Sequence, residues 1–279
     1  MFTSTPLAGN GLAVIHDADG LDDATMLGVA RETAQSETTF VQAATVDGAD
    51  YRNRIFTMDE EIRFAGHPSL GTAVAVARAA GVSEARYRQQ TGAGVQPVEV
   101  ELRGDVARAS MLQEPARFGE VVEAAPVLGA LGLGPADAHP ELPVQPVSTG
   151  LRHLMVPVRD HVALERARPH VARVEAVEAQ TDTMVLYVFV PDGRGAGDGA
   201  PVRARGFVAE RGQVMEDPAT GSAAGPLCAY LHEHTGRAET TVAQGVELGR
   251  PSRLETAIVG DRVRVSGDCV VVLDGSLRL

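Results

Sequence analysis

The residues of this chain that could do chemistry fall in three short runs. Ser36-Glu37-Thr38-Thr39-Phe40-Val41 places one carboxyl just ahead of a segment with β-branched and aromatic residues. Ala65-Gly66-His67-Pro68-Ser69-Leu70-Gly71-Thr72-Ala73 and Asp217-Pro218-Ala219-Thr220-Gly221-Ser222-Ala223-Ala224 each lead into an alanine-rich run. The last two share a pattern, because His67-Pro68-x-x-Gly71-Thr72-Ala73 matches Asp217-Pro218-x-x-Gly221-Ser222-Ala223 at an offset of 217 − 67 = 150 residues. Proline in a first turn and glycine past the last one mark the polarity of a helix. A helix start presents unpaired N–H groups and the positive end of the dipole, which suits an anion. Glycine at 71 and 221 lets backbone and ligand approach closely. Two such ends facing one cleft between domains would hold a small carboxylate without any lysine.

Each of these side chains also has a plainer role. Glu37, at a helix-to-strand junction, is by itself a solvated end residue; to carry a proton to and from carbon it needs burial that raises its pKa. His67 either exchanges a proton with a substrate or hydrogen-bonds the turn before its helix. Asp217 either orients His67 or a substrate amine, or caps its helix. Ser222 either offers its hydroxyl to a carboxylate or is a small packing residue.

The elements that must position them follow from pattern. Gly9-Asn10-Gly11 turns into an apolar strand over residues 12–15. A helix follows with Asp22 as N-cap and Met26, Leu27, Ala30 and Ala34 on one face. Strands are expected at 38–46 and 52–57. The helix that starts near His67 closes at Gly81 and is apolar nearly all round, so it must be enclosed by other elements. Alternating segments at 98–102 and 107–112 complete the first half. The second half repeats this grammar, with strands at 154–158 and 185–190, a helix from the Asp217 motif to about residue 235 that stops at Gly236, and paired strands at 263–266 and 270–273. The glycine-rich residues 192–201 are expected to be a flexible surface loop, without the strand-to-helix context of a nucleotide fingerprint.

Composition removes several classes of function. The 279 residues are 44% hydrophobic, enough for a proper core, with no run approaching a membrane span and no secretory pattern at the start, so a soluble cytoplasmic chain is expected. The formal charge of −12 disfavours nucleic acid and anionic membranes as partners. All 25 basic residues are arginine, which excludes a lysine Schiff base, a lysine general base and a Walker-type loop. Cys228 and Cys269 are too few for a thiolate metal site. His232 and His234 are two apart, on different helix faces, and position twelve counted from Asp17 is Gly28, so neither a zinc pair nor a calcium loop is expected. Arg203 and Arg205 suit surface salt bridges better than an anionic substrate.

The chain resembles the phenazine-biosynthesis isomerase family, relatives of diaminopimelate epimerase in fold. The likeness rests on Gly9-Asn10 with Leu12-Ala13-Val14, the Ser36-to-Val41 run, Arg54-Ile55-Phe56-Thr57, both helix-start motifs, and Gln244-Gly245-Val246-Glu247-Leu248-Gly249-Arg250-Pro251-Ser252. These matches span nearly the whole chain in order. The resemblance implies an α+β fold of two pseudo-symmetric domains, each a curled mixed sheet (a half-barrel) around a central helix, with the site between them. The domains are expected at residues 1–117 and 118–279, with a last strand near 277–279 returning to the first. Gly11 stands where the family pattern has proline, and only eight residues precede Gly9 where the family has a strand, which implies an open sheet edge.

Carried over residue by residue, the resemblance makes Glu37 the acid/base, with His67 and Asp217 beside it in the catalytic set. Gly66, Gly71, Thr72, Gly221, Ser222 and Ala223 are the expected substrate contacts. It implies a homodimer, no cofactor and no metal. The expected activity is a proton-shifting isomerisation of a small cyclic or amino-substituted carboxylate, such as trans-2,3-dihydro-3-hydroxyanthranilate. The alternative is a carboxylate-binding protein without catalysis on the same fold. A two-thiol racemase is excluded, because Gly66-His67 and Asp217-Pro218-Ala219 replace the cysteines it needs at the helix starts.

Overall fold

The computed structural model describes residues 1–191 and 201–279. Most of the glycine-rich residues 192–201 lie outside the described residues. The chain forms two compact units, Met1–Leu112 with Ser266–Leu279, and Gln113–Val265. The boundary expected at 117/118 therefore falls five residues earlier, where Gln113 N–H donates to the Val263 carbonyl at 2.8 Å.

In the first unit the order is β1 (Ala13–Ile15), α1 (Asp23–Thr33), β2 (Thr38–Gln42), β3 (Tyr51–Phe56), β4 (Glu61–Ile62), α2 (Gly66–Ala80), β5 (Glu84–Thr91), β6 (Gly94–Arg103) and β7 (Val106–Leu112). The sheet runs β1-β2-β3-β5-β6-β7 and is mixed: β1/β2 and β3/β5 are parallel, the other pairs antiparallel. β1 is the terminal strand of this path. Asp22 caps α1 by accepting from Thr25 N–H at 2.8 Å, as its position before an amphipathic run requires. β2 stops at Gln42 and does not continue to 46, because the next backbone donors go to side chains: Ala43 N–H to Asp19 and Thr45 N–H to Gln90, both at 2.8 Å.

α2 is the central helix of this unit. Leu70, Ala73, Val74 and Ala77 are buried as it packs against β2, β5, β6 and β7. Each buried Leu or Val contributes about 1.5–3 kcal/mol, which offsets the weak helix propensity of the Gly-His-Pro-Ser start. Gly81 ends the helix in the left-handed region (φ 67°).

In the second unit the order is β8 (Arg117–Phe118), α3 (Ala124–Ala130), β9 (Gln145–Ser148), β10 (Arg152–Pro157), α4 (His161–Arg166), α5 (Val171–Thr181), β11 (Leu186–Val190), β12 (Val202–Glu210), β13 (Gln213–Asp217), α6 (Gly221–Thr235), β14 (Glu239–Gln244), β15 (Ser252–Val259) and β16 (Arg262–Val270). Its sheet runs β16-β15-β14-β12-β11-β10-β9-β8. Val127, Leu128, Leu164 and Val174 of the small helices pack on Leu154, Val156, Leu186 and Val188 of the strands. α6 packs against β9, β10, β14 and β15.

The end of the chain departs from the expected pattern. Residues 263–273 do not make two short strands; β16 is one strand paired with β15, and it crosses into the first unit at Ser266. Gly267 does not break it, because the missing side chain makes room for Phe2, whose Cε1 would lie 2.9 Å from a Cβ there. Residues 277–279 form no strand, so the return to the first unit is made by the latter part of β16.

The two central helices correct the internal offset. Both have 15 residues and both end on glycine, and 221 − 66 and 236 − 81 each give 155. Pro68 therefore lies inside the first turn of α2, whereas Pro218 precedes α6.

The start of α6 is fixed by side chains of its own unit. Gln113 Nε2–H donates to the Gly221 carbonyl at 3.0 Å, and Thr149 Oγ1 donates to Gln113 Oε1 at 2.5 Å. A Cβ at Gly225 would overlap the Gln113 amide oxygen and lie 2.8 Å from Cδ. We predict that Gly225→Ala displaces that amide and destabilises the protein by about 1–3 kcal/mol, measured as a lower urea midpoint.

Candidate functional site

In the first unit, Glu37 is the residue just before β2. Side chains alternate along a strand, so Glu37 and Thr39 share a face. That face is turned to α2, because Thr39 Oγ1 and Thr72 Oγ1 are hydrogen-bonded at 2.8 Å. Two strand residues cover about 6.7 Å and five helix residues about 7.5 Å. Stepping back from Thr39 and Thr72 by those amounts brings Glu37 opposite His67, and Glu37 Oε2 lies 3.4 Å from His67 Nε2.

The Glu37 side chain is 18% exposed, and its Oε2 is buried with no hydrogen bond among the described residues. Burial pushes this carboxyl above its ordinary value, the Ser36 hydroxyl pulling the other way. His67 is held from both ring nitrogens. Nε2 lies 3.2 Å from the Gly11 carbonyl, an acceptor only, so Nε2 carries the proton. Nδ1 then accepts from the Asn10 side-chain amide at 3.5 Å, and Asn10 Oδ1 lies 3.4 Å from Ser36 Oγ, which shares its one proton between that oxygen and Glu37. The Nε2–H that meets Gly11 also faces Glu37, where it favours the ionised carboxylate.

In the second unit, Asp217 is the last residue of β13 and not the N-cap of α6; Thr220 holds that place, without a side-chain cap bond. Thr220 Oγ1–H donates to Asp217 Oδ2 at 2.7 Å. Gln244 ties the turn together. Its Oε1 accepts from Tyr187 OH at 2.8 Å and from Thr220 N–H at 3.0 Å, and its amide donates to the Asp217 carbonyl at 2.8 Å. Gly221 and Ser222 open the helix, and half-buried Ser222 places Oγ 3.1 Å from His153 Nε2. His153, on β10, is fully buried; burial pushes its pKa down to about 4, against the Ser222 main-chain carbonyl that favours the charged ring.

Comparisons with known proteins are consistent along the whole length. A family model described as phenazine biosynthesis-like protein, PhzC-PhzF, matches residues 1–275. The chain belongs to this family. It is 37% identical over 271 residues to trans-2,3-dihydro-3-hydroxyanthranilate isomerase of Pseudomonas aeruginosa, covering 95% of this chain and 90% of the relative. A solved structure from the same organism, described as a predicted epimerase, superimposes with TM-score 0.83 at 35% identity, covering 98% of this chain and 97% of that one. A hydroxyproline epimerase from Agrobacterium vitis shares the fold alone, with TM-score 0.57 at 13% identity over 84% of this chain and 72% of that one. The fold is the diaminopimelate epimerase-like one, and the chain is an isomerase.

Against that family the expected contacts divide. Gly66 and His67 open α2, and Gly221 and Ser222 open α6, so their N–H groups point out of the helix starts. Three others are corrected. Gly71 is in the second turn, where a Cβ would lie 2.5 Å from Leu12 Cδ2, so its side faces the Leu12 and Met1 side chains. Thr72 is fully buried with its hydroxyl on Thr39, and fully buried Ala223 donates its N–H to the Thr220 carbonyl at 3.0 Å. Asn10, Gln244 and His153 were not singled out as site residues. Asn10 was visible in the Gly-Asn turn and Gln244 in its Gln-Gly motif; nothing local marks His153.

The residues set aside are engaged elsewhere. Buried Arg205 pairs with Glu216 at 2.7 Å, Arg203 with Glu247 at 2.6 Å, and His234 meets Gln145 at 3.0 Å. Cys228 and Cys269 are buried free thiols. Among the described residues no group of three His, Cys, Asp or Glu could hold a metal ion, and no helix is long and apolar enough to cross a membrane.

The raised pKa of Glu37 has a thermodynamic sign. The folded state binds the proton more tightly than the unfolded chain, so stability falls as pH rises from the ordinary value of 4.5 through the folded one. We predict that Glu37→Gln stabilises the protein at neutral pH and that the gain vanishes below that ordinary value, as read by urea melts at both pH values.

Proposed function

We propose that this isomerase shifts a proton within a small cyclic, amino-substituted carboxylate, with Glu37 as the single acid/base. The observation that carries the proposal is the buried Glu37 carboxyl oxygen, without a hydrogen bond among the described residues and beside the His67 Nε2–H. In the first step the carboxylate takes a proton from carbon; in the second the same carboxyl returns a proton to another carbon of that substrate. No electrons leave the molecule and no co-reactant is consumed. A raised pKa serves both halves, because the group must be a competent base and then a competent acid near the working pH. His67, protonated on Nε2 with Asn10 on the other nitrogen, donates toward the Glu37 carboxylate and so steadies its charged form. Asp217, with one oxygen held by Thr220, accepts from the substrate amine, and the Gly221–Ser222 helix start binds its carboxylate.

The 37% identity to trans-2,3-dihydro-3-hydroxyanthranilate isomerases supports that compound as the substrate to test first. It carries the required set: a carboxylate, an amine and an acidic C–H.

Turnover of this compound in heavy water tests the reading. The product is expected to carry solvent deuterium at the carbon that gains the proton, and Glu37→Gln is expected to lower kcat by about 10²–10⁴-fold while folding normally. Unchanged turnover in that variant sinks the assignment, and binding without label marks a carboxylate binder that has no catalysis.

A further inference from the structure

The geometry points to His153 as a positioning residue that holds the Ser222 hydroxyl as a hydrogen-bond donor toward a bound carboxylate. The inference rests on the reading that Ser222 binds the substrate carboxylate, and adds what makes it selective for an acceptor.

The argument starts from the ring. His153 is 1% exposed, and burial keeps it neutral, so it carries one proton. Nε2 meets Ser222 Oγ at 3.1 Å, whereas Nδ1 has no hydrogen-bond partner among the described residues. A proton on Nδ1 would strand a buried N–H donor, the rarer and costlier defect; a proton on Nε2 leaves only an unused lone pair there. The neighbouring carbonyl agrees. In a helix the Ser222 C=O would accept from residue 226, but Pro226 has no N–H to give. That carbonyl acts on the His153 ring in favour of a proton. With Nε2–H donating, Ser222 Oγ is the acceptor of that bond, and its own hydrogen must point elsewhere. Ser222 is half-buried at the opening of α6, beside main-chain N–H groups that also favour an anionic oxygen. A carboxylate is matched there by the free hydroxyl hydrogen and the main-chain N–H groups; an ammonium or amide N–H faces those same donors and has only the second Oγ lone pair to accept it.

Two measurements decide it. In histidine-labelled wild-type protein, long-range proton–nitrogen spectra, with His153 assigned by loss of its signal in His153→Gln, are expected to show the neutral Nε2–H tautomer throughout the neutral pH range. An Nδ1–H tautomer or a charged ring overturns the proposal, and this holds even where a His153 variant fails to fold.

The second measurement is titration with 3-hydroxyanthranilate, an aromatic analogue of the relatives' substrate, and with its carboxamide. Ser222→Ala and His153→Leu are each expected to weaken 3-hydroxyanthranilate about tenfold, with the double variant no weaker than either. The carboxamide is expected to lose less. His153→Gln, whose amide retains a donor, is expected to recover most of the affinity, and in turnover KM moves more than kcat. If Ser222→Ala binds normally, the reading of Ser222 fails and the inference with it. If Ser222→Ala is weak but folded His153→Leu is normal, or Leu and Gln at 153 lose equally, only the positioning role falls.

Discussion

The hydroxyl contact between Thr39 and Thr72 sets the register on which the first unit's chemistry depends. A strand and a helix advance at different rates, so one fixed point between them decides which residues meet further along. Here that point brings a carboxyl at the strand's start opposite a histidine in the helix's first turn. Both threonines are fully buried, so the hydroxyls have every reason to find each other. Burial of the carboxyl is the cost that comes with this placement. It destabilises the charged form and raises the proton affinity of the group above its ordinary value.

The two helix starts solve a common problem differently. Each must present N–H groups while surrounded by polar atoms that could occupy them. At α2, Pro68 removes one donor from the first turn and the N-cap Ala65 contributes no side chain bond. The imidazole of His67 is then clasped by Asn10 and the Gly11 carbonyl, which fixes its tautomer and hence what it can do to Glu37. At α6 the neighbouring turn is satisfied by two glutamine amides. Gln244 spans Asp217 and Thr220, and Gln113 takes the Gly221 carbonyl. The hydroxyl of Ser222 is left in the company of a neutral ring. The chain has no lysine, and these locked side chains leave oriented main-chain dipoles at the helix starts.

Much of the architecture was legible before any coordinates. The all-apolar run after His67 demanded a central helix, and both helix ends were marked by Gly81 and Gly236. Asp22 announced its helix by cap chemistry alone. The family motifs marked Glu37 and His67, which the fold brings within 3.4 Å of each other. What misled was local similarity between the two helix starts. A shared Pro-x-x-Gly spacing suggested matching turns, yet one proline sits inside its helix and the other before it, so glycines 71 and 221 occupy different depths. The spacing carried no information on which turn the backbone enters first.

Residue types and their order thus determined the fold family and the absence of any lysine chemistry, and singled out Glu37 as the candidate acid/base. Tertiary structure alone decided protonation and aim. Whether Glu37 meets water or a buried donor, which nitrogen of His67 or His153 holds the proton, and whether Gly71 serves a ligand or Leu12 all depend on atoms distant in sequence. Desolvation and hydrogen-bond direction are properties of an enclosed neighbourhood, and a linear chain has none until it folds.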